Sequence, residues 1–169
     1  IVAADGQLYW IQDAYTTSDH YPYSQPSNTE PVEREASVAF NYIRNSVKVT
    51  VDSFHGALRF YLWDSSDPVV MTYAKIFPDL FLPKSEMSPS LREHVRYPQD
   101  FFTVQARKYT KYHMRDPQSF YNNEDLWAFS NEKFGQSGDL REVGPYYVIM
   151  KLPGEETEEF VQLLPYTPN

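Results

Sequence analysis

The stretch "VKVTVDSFHGALRFYLW", residues 47–63, decides the fold class. Val47, Val49 and Val51 alternate with Lys48, Thr50 and Asp52, the period-two pattern of a half-buried strand rather than a helix. With His55 and Gly56 as a two-residue turn, Asp52 faces Arg59, Thr50 faces Tyr61 and Lys48 faces Trp63 on one side. Val51/Phe60 and Val49/Leu62 then pair on the other. The valine side is expected to be the core side.

A second hairpin opens the chain. In "IVAADGQLYW", residues 1–10, Asp5-Gly6 supplies the two positive-φ positions of a tight turn, setting Ala3 opposite Leu8 and Ile1 opposite Trp10. A third, "YYVIMKLPGEETEEFVQLL", residues 146–164, turns through an acidic tip at 153–158 that reads as a solvated loop. Between residues 67 and 117 the punctuation becomes helical: Asp67-Pro68, Ser88-Pro89 and Asp116-Pro117 each place a capping side chain before a proline suited to the first helical position. A longer helix is predicted from about 98 to 113, with Phe102, Ala106, Tyr109 and His113 on its packing side and Arg107, Lys108 and Lys111 elsewhere. Strands, then helices, then strands predict an α+β fold. The expected arrangement is an antiparallel sheet built from three hairpins, with short helices inserted between the second and third and grouped on one face.

At 169 residues the chain fits a single domain, 1–169, able to bury a core without staples. A formal charge of -8, with no Lys/Arg cluster among stacking aromatics, argues against nucleic acid as a partner. The absence of cysteine excludes disulfides and thiolate chemistry. His20, His55, His94 and His113 stand far apart in sequence and form no helical metal-binding pair, so no metal and no cofactor is predicted. His55 reads as a turn residue and His113 as a helix-terminal one. The acidic runs "DSSD" (64–67) and "NNED" (122–125) lack the glycine and ligand spacing of a calcium loop and read as turns and caps. No run is long and apolar enough to span a membrane as a helix. Ile1 lies in what reads as a strand, so the chain is expected to be a piece of a longer polypeptide.

The densest candidate site is "YWIQDAYTTSDHYPYS", residues 9–24. Its front half reads as a central strand covered on both faces, its back half as the start of a long polar and aromatic loop. The ligand- or partner-binding residues predicted there are Tyr15, Thr17, Asp19, His20, Tyr21 and Tyr23: tyrosines for contact area, the others for directional hydrogen bonds. The predicted surface combines Tyr15 to Tyr23 with a second aperiodic segment, 130–144; that segment and 18–39 both exceed ordinary connection length, and loops this long inside a compact domain are usually functional, disordered or ordered only by a neighbour. An enzymatic alternative uses carboxylates near Asp13 and Asp19 with His20 as a proton shuttle, hydrolysing an envelope glycan or peptide.

In order along the chain, "LYWIQDAYTTSDHYPYS", "FNYIRNSVKVTVDSFHG", "KIFPDLFLPKSEM", "LREHVRYPQDFFTVQARKYTKYHMRDPQSFYNNEDLW" and "LLPYTP" resemble segments of uncharacterised protein family 0182. Members more usually carry Asp or Asn where His55 precedes the glycine. The resemblance implies a parent that is a large prokaryotic membrane protein with several spanning helices, of which this chain is part of the region outside the cytoplasm. It supplies no catalytic residues. The function expected is therefore a non-catalytic extracytoplasmic domain that packs against the remainder of the parent. A further protein partner, or a second copy joined through an open sheet edge, is also expected.

Overall fold

The computed structural model describes residues 1–27, 39–135 and 138–168, and the α+β class holds. The chain folds as two compact units, residues 1–98 and 99–169.

The first unit is built on a five-stranded sheet of order β1-β2-β3-β4-β5, with β1 at Val2–Ala4, β2 at Gln7–Ser18, β3 at Tyr42–Asp52, β4 at Leu58–Leu62 and β5 at Phe81–Pro83. Asp5 (φ 52°) and Gly6 (φ 74°) turn β1 into β2, with Ala3 opposite Leu8 as predicted. Both residues need the left-handed region, which glycine enters without a steric penalty and aspartate tolerates. The first four strands are antiparallel, but β5 runs parallel to β4, reached through helix α1 at Pro68–Ile76. A parallel neighbour needs a crossover, and the Asp67-Pro68 start supplies it. As predicted, the Asp67 side chain accepts from the Val69 amide and caps the helix.

The middle hairpin differs from its expected register by two residues. Lys48 faces Tyr61 and Thr50 faces Arg59, while Val49 faces Phe60 and Val51 faces Leu58. The cause is local: Asp52 accepts from the amides of Phe54 and His55, and the Gly56 amide reaches the Asp52 carbonyl. The loop therefore spans 53–57 rather than two residues. A shift of two keeps every side chain on its predicted face. The expectation that the valine face is the core face holds only at Val47, which is 7% exposed. Ser46, Lys48 and Thr50 are 0, 1 and 2% exposed, whereas Val49 and Val51 are only half-buried.

Coverage explains the inversion. Helix α2 at Pro89–Glu93, capped by Ser88, and the 3-10 turn Lys84–Glu86 before it deliver Met87 and Leu91 onto Tyr61 and Ala4, with Tyr9, Ile11, Trp63, Leu82 and Val95 around them. Tyr61 lies opposite Lys48 and Ile11 opposite Thr50, so this layer covers the lysine side. Across the sheet, Trp10, Val51 and Leu58 form one cross-strand row, and Gln12, Val49, Phe60 and Phe81 the next. Leu8, Trp10 and Leu58 are 44, 53 and 58% exposed. The front of β2 is therefore not covered on both faces as predicted, and the strand continues through Thr16, Thr17 and Ser18 instead of breaking into loop at Thr16.

In the second unit, helix α3 at Gln99–Tyr112 matches the predicted long helix, and α4 at Pro117–Asn122 starts from Asp116, whose carboxylate accepts the Gln118 and Ser119 amides. Three two-stranded ribbons complete it: β6 (Trp127–Phe129) with β11 (Tyr166–Pro168), β7 (Asn131–Phe134) with β8 (Asp139–Glu142), and β9 (Tyr146–Met150) with β10 (Glu159–Leu163). The third predicted hairpin is thus present, but as its own ribbon outside the five-stranded sheet. Segment 130–144 holds a hairpin instead of an aperiodic loop. Alternation in "NEKF" and "DLRE" is hidden because both sides carry charges.

Candidate functional site

The predicted binding segment begins at the last residue of β2. Beyond Ser18 the chain is gathered chiefly around Asn41, just before β3. Its amide oxygen accepts the Tyr21 N–H at 2.9 Å, its amide nitrogen donates to the Tyr21 carbonyl at 2.8 Å and the Ser24 carbonyl at 3.3 Å, and its own N–H meets the Ser18 carbonyl. The Ser24 hydroxyl donates back to the Asn41 carbonyl at 2.8 Å, and the His20 amide to the Ser18 hydroxyl. A single asparagine can both donate and accept, which lets it satisfy the turn's backbone from one point.

On that clasp the predicted residues separate. Tyr21 stacks on Tyr42 with ring centroids 5.3 Å apart and planes 20° from parallel. Tyr23 is fully exposed and held at φ 58°. A tyrosine in the left-handed region carries strain of order 1–2 kcal/mol, and such strain persists only where the surroundings impose it. Asp19 and His20 are exposed and paired with each other. Thr17 is an exposed strand residue, and Tyr15 is half-buried in β2 where the pairing with β3 is irregular. There Asn45 and Ser46 of β3 face Tyr15 alone, a bulge of the kind that re-aims side chains.

The bulge is where a second cluster starts. Asp67, fully buried, accepts from the Thr16 hydroxyl (2.5 Å), the Ser46 hydroxyl (2.5 Å), the Tyr42 hydroxyl (2.6 Å) and the Val69 amide (2.9 Å). Burial alone pushes its carboxyl up, but the donors from Ser46, Thr16, Tyr42 and Val69 outweigh that and hold it below the usual carboxylate value. Burial, the hydrogen bond to Asp67 and its charge push the Tyr42 phenol up to about 12. Two residues further along β3, buried Lys48 pairs with Asp13 and lies 5.6 Å from the Trp63 ring centre, with the Lys84 ammonium 3.9 Å from the same ring.

The residues that sequence reasoning passed over are therefore Asn41, Tyr42, Ser46 and Lys84, while Lys48 was read as the neighbour of Trp63 but not as buried. Asp67 was legible only as a cap. The signal missed is "FNYIRNS", residues 40–46, where three consecutive polar residues, Arg44, Asn45 and Ser46, interrupt a strand that would otherwise alternate cleanly.

The carboxylates of the enzymatic alternative are not brought together. Asp13 is engaged by Lys48, and Asp19 lies just past the end of β2 beside His20. They stand six residue steps apart along an extended strand, about 20 Å, beyond the ~5–10 Å of a glycoside-cleaving pair. Among the described residues no group of three or more His, Asp or Glu side chains is placed to hold a metal ion. The "DSSD" run works structurally: Asp64 accepts the Ser66 amide and hydroxyl and pairs with Arg44. In the second unit His113 stacks on Trp127 at 3.7 Å, its Nδ1 at the Tyr109 carbonyl and its Nε2 3.4 Å from Asp125. That arrangement agrees with the helix-terminal role predicted for it.

A family profile, that of an uncharacterised protein family (UPF0182), matches residues 1–169. The chain belongs to UPF0182. UPF0182 proteins to which it is similar include one from Methanospirillum hungatei, 52% identical over 168 residues, and one from Sulfurovum sp., 47% identical over 169. Another, from Pelotomaculum thermopropionicum, is 49% identical over 168 residues. The matches cover 99, 100 and 99% of this chain but 18, 18 and 17% of those UPF0182 proteins, so the chain spans under a fifth of the relatives' length. No solved structure matches it. Among the described residues no helix is long and apolar enough to cross a membrane.

Proposed function

We propose that this chain is a non-catalytic recognition and packing segment of a longer UPF0182 membrane protein, on the extracytoplasmic side. It binds a protein partner through Thr17, Asp19, His20, Tyr21 and Tyr23, with Tyr15 supporting them from the strand. The observation that carries this reading is the Asn41 clasp, which fixes a loop only to present Tyr23 fully exposed in a strained conformation. A rigid aromatic presented this way binds with little ordering entropy left to lose. The charged groups beneath the loop support a structural role, since Asp67 is occupied by donors and Lys48 by Asp13. The relatives' extra length supports a chain that works beside other parts of the same polypeptide.

The test is a binding measurement with the full-length protein in detergent, comparing Tyr21→Ala and Tyr23→Ala with the parent sequence. Partner affinity should fall at least tenfold for Tyr23→Ala, while the thermal midpoint of the isolated chain stays within a few degrees. Unchanged affinity would remove the loop from the function. Protease added to intact cells should cut a site engineered into residues 151–158, and protection there would remove the extracytoplasmic placement.

A further inference from the structure

The lysine side of the five-stranded sheet is covered; the apolar side is buried at Val47 but open at the end where β2, β3 and β4 carry Leu8, Trp10 and Leu58. Met87 and Leu91 seal the lysine side. On the other side Leu8, Trp10, Val51 and Leu58 form a contiguous patch across β2, β3 and β4, continued by Phe60, with Gln12 as its one polar member. A sheet needs an apolar layer on each apolar face, and this one has three large side chains about half exposed.

We infer that this open patch seats an amphipathic helix from the part of the longer polypeptide that lies outside residues 1–169. The inference rests on the proposed membership in a longer chain and adds the surface and the kind of occupant. Two observations choose the occupant. The matched region accounts for 17 to 18% of the relatives named above, so in those proteins more than four fifths of the polypeptide is available to cover it. The chain's formal charge of -8 opposes stacking one copy on another, because two copies repel through their net charge.

The dimensions agree with a helix. Residues two apart on one face of a strand are roughly 6.6 Å apart and neighbouring strands about 4.8 Å apart. The patch from Leu8 to Gln12 along β2 and across to β4 is then roughly 13 Å by 10 Å, the footprint of two to three helical turns about 10 Å wide. The occupant should carry apolar residues at i, i+3, i+4 and i+7. Leu or Met facing Trp10 would suit that ring, and basic residues on the flanks would suit an acidic chain.

The experiment places a photoreactive benzophenone amino acid at position 10, and separately at position 58, in the full-length protein in cells, followed by digestion and mass spectrometry. The inference expects an intramolecular adduct from both positions to one segment outside 1–169 with that apolar spacing. Position 155, in the solvated turn between β9 and β10, should give no such adduct. Adducts to a second copy, adducts to lipid, or no protein adduct from either position would overturn it while leaving the Tyr23 binding result untouched. A full-length product of only about 20 kDa would end the longer-chain reading itself, and this inference with it.

Discussion

The two sides of β3 divide the work in opposite ways. Ser46, Lys48 and Thr50 project from one side and solvent does not reach them, while Val49 and Val51 project from the other, in rows that end at half-exposed Trp10 and Leu58. Hydrophobicity alone would reverse the assignment. What decides it is where the connections go: the turn and helix after β5 carry Met87 and Leu91 across the hydroxyl and ammonium side, and that side supplies partners for its own polar groups. Burial of a polar group is tolerated where its hydrogen-bonding capacity is met. An apolar face left open needs a later partner.

The sharpest way to break this comparison is to empty the buried side. Lys48→Ala should destabilise the chain by about 3–5 kcal/mol, since it leaves Asp13 without its cation and opens a cavity. Pairing Lys48→Met with Asp13→Leu should recover most of that loss, because removing both charges is close to neutral. Urea unfolding measures both, and a loss below about 1 kcal/mol for Lys48→Ala would show that the lysine side is not the core.

Next in size is Asp67→Ala, which strips the α1 cap and orphans three hydroxyl donors. About 3 kcal/mol is expected from the cap and the charge-assisted bonds together, and calorimetry reads it as a lowered midpoint.

The pH dependence follows from the same cluster. Asp67 is held below its ordinary 3.8, so its contribution is present above that value and is lost as pH falls through the lower folded one. Tyr42 is held up at about 12 against an ordinary 10, so its contribution is present below pH 10 and is lost as pH rises towards 12. Stability measured against pH should show both flanks. Asp67→Asn should flatten the acid one and Tyr42→Phe the alkaline one, and flanks unmoved by these changes would assign them to other groups.

The smallest effect belongs to the open side. Trp10→Ser in the isolated chain should change stability by about 0.5 kcal/mol or less, with improved solubility. A loss several times larger would mean that Trp10 already belongs to a packed core.

Features written in neighbouring residues were legible in the sequence. Asp5-Gly6 fixed its turn, three Asp-Pro or Ser-Pro pairs marked helix starts, and the periodicity of 98–113 gave α3 within a residue at each end. What failed depends on contacts far along the chain. The choice of core face needed Met87 and Leu91, some forty residues beyond β3. Strand β5 has only three residues and carries no alternation to detect. The site was legible as a loop but not as a clasp, because Asn41 acts on Tyr21 across 20 residues, part of which lies outside the described ones. The middle hairpin shows a third cause. Its residue types suited a two-residue turn, but the Asp52 carboxylate organised a longer loop through backbone amides, an option that pair preferences do not register.

One small contact bears on how this sheet behaves in a crowded solution. The two-residue turn makes Ala4 and Gln7 the hydrogen-bonded pair, so the amide and carbonyl of Ala3 point outward from edge strand β1. His94 donates from Nε2 to that carbonyl at 3.1 Å. At the other edge, Pro83 ends β5 without an N–H to offer. Fibril growth and strand exchange both begin by docking a foreign strand onto such unpaired backbone groups. β1 is thus stoppered by an imidazole and β5 is three residues long and closed by proline, so these two end strands offer little template for growth, whereas β1 pairs only with Gln7–Tyr9 and the rest of that edge of β2 has no strand partner among the described residues.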